Sequence, residues 1–398
     1  MSFLSAVEMA PRDPILGLND QFAADSNPAK VNLGVGVYYD DQGKLPLLGC
    51  VQAAEQAMMA TPKARGYLPI DGLAAYDAGV KALVFGADSE PVQSARVATV
   101  QAIGGTGGLK IGADFLHRLN PRAEVLISDP SWENHRALFT NAGFLVKNYR
   151  YYDAKNRGID FEGMLADLAA AAPGSIAVLH ACCHNPTGYD ISAAQWDQVV
   201  AMCKSRGLLP FLDMAYQGFG YGLAEDGAAV QKFTAAGLSF FVASSFSKSF
   251  SLYGERVGAL SVLCDNQDEA ARVLSQIKVV IRTNYSNPPT HGGTVVAAVL
   301  ANPQWRALWE SELAGMRTRI KAIRQKLVDG LKTAGLQQDM GFITNQIGMF
   351  SYSGLSREQM VRLRQEFGVY GTDTGRMCVA ALNGKNIDYV CASIAKVV

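Results

Sequence analysis

The chain has no surplus of either charge: 36 Lys and Arg balance 36 Asp and Glu over 398 residues. With no basic run either, it lacks the electrostatic footprint of a nucleic-acid-binding surface. No uninterrupted apolar segment reaches membrane-spanning length, so no transmembrane helix is expected. Cysteine is sparse and odd in number: seven scattered residues fit reduced thiols in a cytoplasm. Residues 1–20 hold no apolar core and a single arginine, Arg12, which argues against a signal or transit peptide. Cys182-Cys183-His184 lacks the two-residue spacer that zinc sites prefer, so these residues read as buried strand-end material and no metal is expected. The dinucleotide fingerprint is missing too. Gly105 and Gly107 have its spacing, but Lys110 stands where the third glycine belongs, which argues against a nicotinamide-dependent oxidoreductase.

What the chain does have is apolar content, at 49% against 18% charged, enough to bury a sizeable core. Its length implies two domains, or one large α/β domain with an appendage. Short apolar runs alternate with helical patterns: strands are expected at 31–38, 97–103, 124–129, 144–149, 176–180, 208–213, 240–243 and 259–264. Helices are expected at 51–59, 73–84, 109–119, 159–171, 192–206 and 269–282, and a long one follows Asn302-Pro303. Residues 1–14 read as an extended arm, and 13–20 as holding a short helical turn. That alternation implies a largely parallel sheet, whose ligands gather past the strand ends. From Gly341 the pattern changes to short strands and a helix over 357–367, which reads as a second, smaller domain.

Polar groups fall after successive strands. Val97–Ile103 runs into Gly104-Gly-Thr-Gly-Gly108, a candidate phosphate site that, read alone, is equally a tight turn. Trp132 follows the 124–129 strand and could stack on a planar ring or simply pack. Phe240–Ala243 leads into Ser244-Ser-Phe-Ser-Lys248, with Arg256 eight positions on. A lysine hemmed by small hydroxyl residues and aromatics is suited to forming a Schiff base with an aldehyde, although a paired loop lysine is the plainer alternative.

Taken together, Tyr67, Gly104-Gly-Thr106, Ser131-Trp-Glu-Asn-His135, Asn185-Pro-Thr-Gly188, Asp213-Met-Ala-Tyr216, Ser245-Phe-Ser-Lys248, Arg256, Arg282 and Arg376 resemble an aspartate/aromatic amino-acid aminotransferase of class I, fold type I. The likeness runs in order along essentially the whole chain. It implies an α/β fold: a large domain with a mostly parallel seven-stranded sheet flanked by helices, plus a smaller α/β domain built from both chain ends. The expected division is an arm at 1–12, small-domain residues 13–45, a large cofactor-binding domain at 46–310 and the rest of the small domain at 311–398. The resemblance also implies a cytoplasmic homodimer with active sites shared across its interface, acting on small amino and keto acids, with no nucleic acid or membrane partner.

The implied cofactor is pyridoxal 5′-phosphate. Lys248 would be the Schiff-base lysine and proton shuttle of a ping-pong transamination. Asp213 would pair with the pyridine nitrogen, and Tyr216 and Asn185 with the phenolic oxygen. Gly105, Thr106, Ser245, Ser247 and Arg256 would take the phosphate, joined by Tyr67 from the partner subunit. Trp132 would cover a ring face, and His135 and His180 would support Asp213 from behind. Arg376 would bind the α-carboxylate, near Gly36, and Arg282 of the neighbouring subunit a side-chain carboxylate. Tyr39, Leu45 and Phe250-Ser-Leu-Tyr-Gly254 resemble the aromatic branch, whereas Thr106 and Asn287 resemble the aspartate branch. The expectation is therefore dual specificity for Tyr or Phe and Asp or Glu, with 2-oxoglutarate or oxaloacetate as acceptor. A strict aspartate aminotransferase is the nearer alternative. A non-catalytic sensor on the same fold is the distant one, and it would normally carry a DNA-binding module for which the arm is too short. A lyase would have little need of Arg282.

Overall fold

A computed structural model describes residues 2–10 and 16–398. Its centre is a seven-stranded sheet in the order Val97–Ile103, Val257–Leu263, Phe240–Ser245, Leu209–Met214, Ile176–His180, Glu124–Asp129, Leu145–Arg150. Every neighbouring pair is parallel except the two made by Val257–Leu263, which runs antiparallel to both its neighbours. The reversal matters for function: it puts Arg256, just before that strand, on the same edge as the residues that follow the parallel strands. The inner strands are buried along their length, as in Ile176–His180 and Phe240–Ser245. Helices cover both faces, so these strands read as continuous apolar runs rather than alternating ones.

Several helices follow directly from their sequence signals. Ala193–Arg206 starts at Ser192, whose hydroxyl accepts from Gln195 N–H while the Gln195 side chain accepts from Ser192 N–H. Pro303–Thr333 starts at Asn302, whose side chain accepts from Gln304 and Trp305. Each such cap contributes about 1 kcal/mol. Trp309, Leu313, Met316, Ile320, Ile323 and Leu327, spaced for one helical face, are all core residues.

Elsewhere tertiary packing overrode the local pattern. The helix expected from Leu109 begins at Gly104, so the glycine run is its first turn rather than a separate loop. Gly104, Gly108 and Gly112 recur every fourth residue on the face against the sheet: a Cβ at 108 would lie 2.7 Å from Ala259 O, and one at 112 would lie 2.5 Å from Phe211 Cζ. Small residues there let the helix lie close on the strands. The strand expected at 31–38 shrinks to Val31–Asn32, because only those two residues find a partner, Val369–Tyr370. Helices Glu133–Asn141, Ala228–Ala235 and His291–Ala301 were not anticipated. The last contains two glycines and three valines, weak helix formers whose burial decides the outcome.

Phe3–Ala6 forms a short 3-10 turn where an extended arm was expected, and part of that arm and of the 13–20 segment lies outside the described residues. A smaller layer joins the two ends of the chain: Val31–Asn32 pairs with Val369–Tyr370, and Phe350–Tyr352 runs antiparallel to Arg376–Cys378. Helix Pro303–Thr333 runs unbroken past residue 310. We propose that the large and small domains divide within it.

Candidate active site

Asp213 is the last residue but one of its strand and only 6% exposed. His135, on the helix after the Glu124–Asp129 strand, places Nε2 2.8 Å from Asp213 Oδ2 and Nδ1 2.9 Å from Ser131 Oγ. Burial by itself would raise the Asp213 pKa. The His135 hydrogen bond, with lesser help from His180 and Lys248, reverses this and holds it below the ordinary carboxylate value. An ionised carboxylate only accepts, so His135 donates Nε2–H to Asp213, while its Nδ1 is hydrogen-bonded with the Ser131 hydroxyl. His180 packs 5.0 Å from the His135 ring. Burial, and then His135, hold its pKa down at about 3, so it stays neutral.

Lys248 lies in the turn after Phe240–Ser245, its Nζ 4.7 Å over the Tyr216 ring. Burial lowers its pKa to about 8; Asp213 opposes that shift, while Arg256 and Arg376 add to it. A lysine poised there offers a substantial fraction of neutral, nucleophilic amine. Burial raises the Tyr216 phenol well above its usual value, so it remains a hydrogen-bond donor.

Beside this group the start of helix Gly104–Leu119 meets the serine turn. A Cβ on Gly104 would lie 2.6 Å from Arg256 Nη2, and one on Gly105 would lie 3.1 Å from Ser245 Cβ. Arg256, itself exposed, donates from Nη1 to Ser247 Oγ at 3.3 Å. First-turn amides of a helix have no acceptor within it, so this helix start, the serine hydroxyls and the Arg256 guanidinium together form a cradle of donors suited to an anion. Pyridoxal phosphate fits this donor set. The cradle matches its phosphate, the low-pKa amine its aldehyde, and the ionised Asp213 a protonated pyridine nitrogen.

Opposite stands Arg376, 1% exposed. Its Nη1 donates to Asn185 Oδ1 at 3.1 Å and its Nη2 to Gly34 O at 2.7 Å, while Nε has no partner. The guanidinium lies 4.4 Å over the Phe350 ring. That ring occupies the space a side chain at 36 would need: a Cβ on Gly36 would lie 2.6 Å from Phe350 Cζ. A buried guanidinium with donors to spare has the chemistry to receive a carboxylate.

The profile "Aminotransferase class I and II" matches residues 28–394. The chain belongs to that family. Among curated aminotransferases, an aspartate aminotransferase of Pseudomonas aeruginosa is 61% identical over 397 residues, covering 100% of both chains. An aromatic-amino-acid aminotransferase of Escherichia coli is 50% identical, covering 97% of both. Among solved structures, an aromatic-amino-acid aminotransferase from Burkholderia pseudomallei, covalently bound to pyridoxal phosphate, is 64% identical with a TM-score of 0.97 over 100% of both chains.

In this aminotransferase the fold gathers most of the residues singled out in the sequence along one sheet edge. Gly105, Thr106, Trp132, His135, Asn185, Asp213, Tyr216, Ser245, Ser247, Lys248 and Arg256 all fall there, with His180 behind Asp213. Trp132 stands edge-on to His135, with ring centroids 5.3 Å apart. Arg376 and Gly36 reach the edge from the smaller layer. Two residues are not gathered in. Tyr67 is 96% exposed, and Arg282, near the end of helix Gln267–Asn284, is exposed and bonds to Ser286 Oγ. Among the described residues, neither hydrogen-bonds to the groups above. Sequence reasoning missed Phe350, which sits in a three-residue strand with no local signal. It also gave no role to Glu133, although that residue lay inside a quoted motif. Glu133 Oε2 is 3.7 Å from Arg376 Nη1.

Proposed function

We propose that this protein is a pyridoxal-phosphate-dependent aminotransferase, moving the amino group of an aromatic or acidic L-amino acid to 2-oxoglutarate or oxaloacetate by a ping-pong route. One observation carries the reading: a lysine with its pKa near 8 shares a pocket with an ionised Asp213 and a buried Arg376. Bound pyridoxal phosphate supplies an aldehyde that condenses with amines and a protonated ring that draws electron density from the substrate Cα.

The chain's own residues supply the rest. Lys248 would hold the cofactor between turnovers and would carry the proton that leaves Cα. Asp213, kept ionised by His135, holds the proton on the pyridine nitrogen. Tyr216 and Asn185 donate to the phenolic oxygen, Trp132 covers a ring face, and the glycine, threonine, serine and Arg256 donors hold the phosphate. Arg376 grips the α-carboxylate that all these substrates share.

We infer a homodimer in which Tyr67 and Arg282 complete the partner's pocket. Their exposure and their separation from their own site support this. Arg282 would then meet side-chain carboxylates and swing aside for aromatic rings. Seven unpaired cysteines support a cytoplasmic location. Among the described residues, no helix is long and apolar enough to cross a membrane.

The test is an absorption spectrum of the purified enzyme. A visible cofactor band lost on adding either aspartate or tyrosine, and restored by 2-oxoglutarate, is expected. No band after reconstitution would overturn the function. Loss with aspartate alone would favour a strict aspartate aminotransferase, the name borne by the Pseudomonas relative. Mixing Lys248→Ala and Arg282→Ala subunits tests the shared site: hybrid dimers should regain activity toward aspartate that neither variant has alone.

A further inference from the structure

Glu133 is the first residue of helix Glu133–Asn141, where an acid usually turns back to accept backbone amides. Here it does not. Its Oε2 is buried without any hydrogen-bond partner and lies 3.7 Å from Nη1 of Arg376. That separation is too long for a hydrogen bond, so the contact is purely a charge pairing. Arg376 in turn leaves Nε unpaired, and only two of its five donors are engaged. A buried carboxylate oxygen without a donor is costly, and the nearest compensation is the guanidinium. The Glu133 side chain keeps 29% exposure, which leaves it a path out toward solvent.

We propose that Glu133 is the resident counter-ion of Arg376 in the free enzyme. It competes with the incoming α-carboxylate and biases the pocket against substrates that bring a second negative charge. The inference rests on the reading of Arg376 as the α-carboxylate receptor. A substrate carboxylate forming a bidentate fork on Arg376 brings two anions to one guanidinium, and their repulsion drives Glu133 outward. Every substrate meets this competition. A dicarboxylate meets it twice, because its second charge enters the same field, whereas an aromatic side chain does not.

The experiment uses the holoenzyme and two unreactive inhibitors, 3-phenylpropionate with one carboxylate and succinate with two. Glu133→Gln keeps the shape and removes the charge. It should lower both inhibition constants, 3-phenylpropionate by roughly threefold and succinate by roughly tenfold, and raise the aspartate-to-phenylalanine ratio of kcat/KM. Unchanged or weaker binding, or equal tightening of both inhibitors, overturns the proposal and leaves Glu133 as a structural neighbour of Arg376. Arg376→Lys separates the two ideas. If it weakens both inhibitors while Glu133→Gln does nothing, only the competition fails. If it leaves both unchanged, the receptor reading fails and the competition falls with it.

Discussion

His135 Nε2 and Asp213 Oδ2 lie 2.8 Å apart with almost no solvent at either group. The pair is oriented from behind by Ser131, which leaves the far side of the Asp213 carboxylate for a cofactor. Asp213→Asn removes the charge that keeps a pyridine nitrogen protonated, so kcat should fall on the order of a thousandfold, measured by steady-state transamination. His135→Leu leaves the charge but removes its donor. The expected loss is about tenfold, the size of a one-unit change in proton affinity. Equal losses from the two variants would contradict the division of roles.

Lys248 should titrate early. In cofactor-free protein, labelling of this residue by an amine-reactive reagent, followed by mass spectrometry of its peptide, should be half-maximal near pH 8. Exposed lysines should follow at about 10.4. Asp213 opposes the downward shift, so Asp213→Asn should move the Lys248 midpoint lower still.

Arg376 and Arg282 should separate in their substrate dependence. Arg376→Lys loses a buried planar fork and should raise KM for aspartate and phenylalanine alike, on the order of a hundredfold. Arg282→Leu should affect aspartate and spare phenylalanine. A uniform effect of Arg282→Leu would contradict its assignment to the side-chain carboxylate.

Asp77 gives a stability test away from the site. Its Oδ1 is buried and unpartnered, and burial, followed by repulsion from Asp71, lifts its pKa to about 8. The folded state therefore binds this proton more tightly than the unfolded chain, whose carboxyl titrates near 3.9. Its stabilising contribution is complete below that unfolded value and is lost as pH rises toward 8. Asp77→Asn cannot ionise, so its stability relative to wild type should rise by on the order of 5 kcal/mol between pH 4 and pH 8.5, read from urea midpoints. A constant difference across that range would contradict the shift.

The sequence by itself determined the order of elements and nearly all the chemistry-bearing residues. Apolar runs such as Val97–Ile103, Glu124–Asp129 and Ile176–His180 became strands with the anticipated bounds, because strands covered by helices on both faces leave a continuous apolar signal. Ser192 and Asn302 marked helix starts, because capping is a local interaction. Lys248, Asp213 and Asn185 could be named for the same reason: each sits at or just past the end of a strand, and the sheet alone carries it to the shared edge.

The tertiary structure decided what depends on distant neighbours. Gly104 opens a helix because its packing face needs no side chains, and His291–Ala301 is helical because burial outweighs its weak propensity. Val31–Asn32 is a strand only as long as its partner. The antiparallel course of Val257–Leu263 turns Arg256 toward the cradle. Phe350 lies beneath Arg376 across a strand pair of the smaller layer, and Glu133, beside it, comes from more than two hundred positions away in the chain. No local pattern encodes them, since only the closure of the smaller layer on the sheet brings those charges within reach of each other.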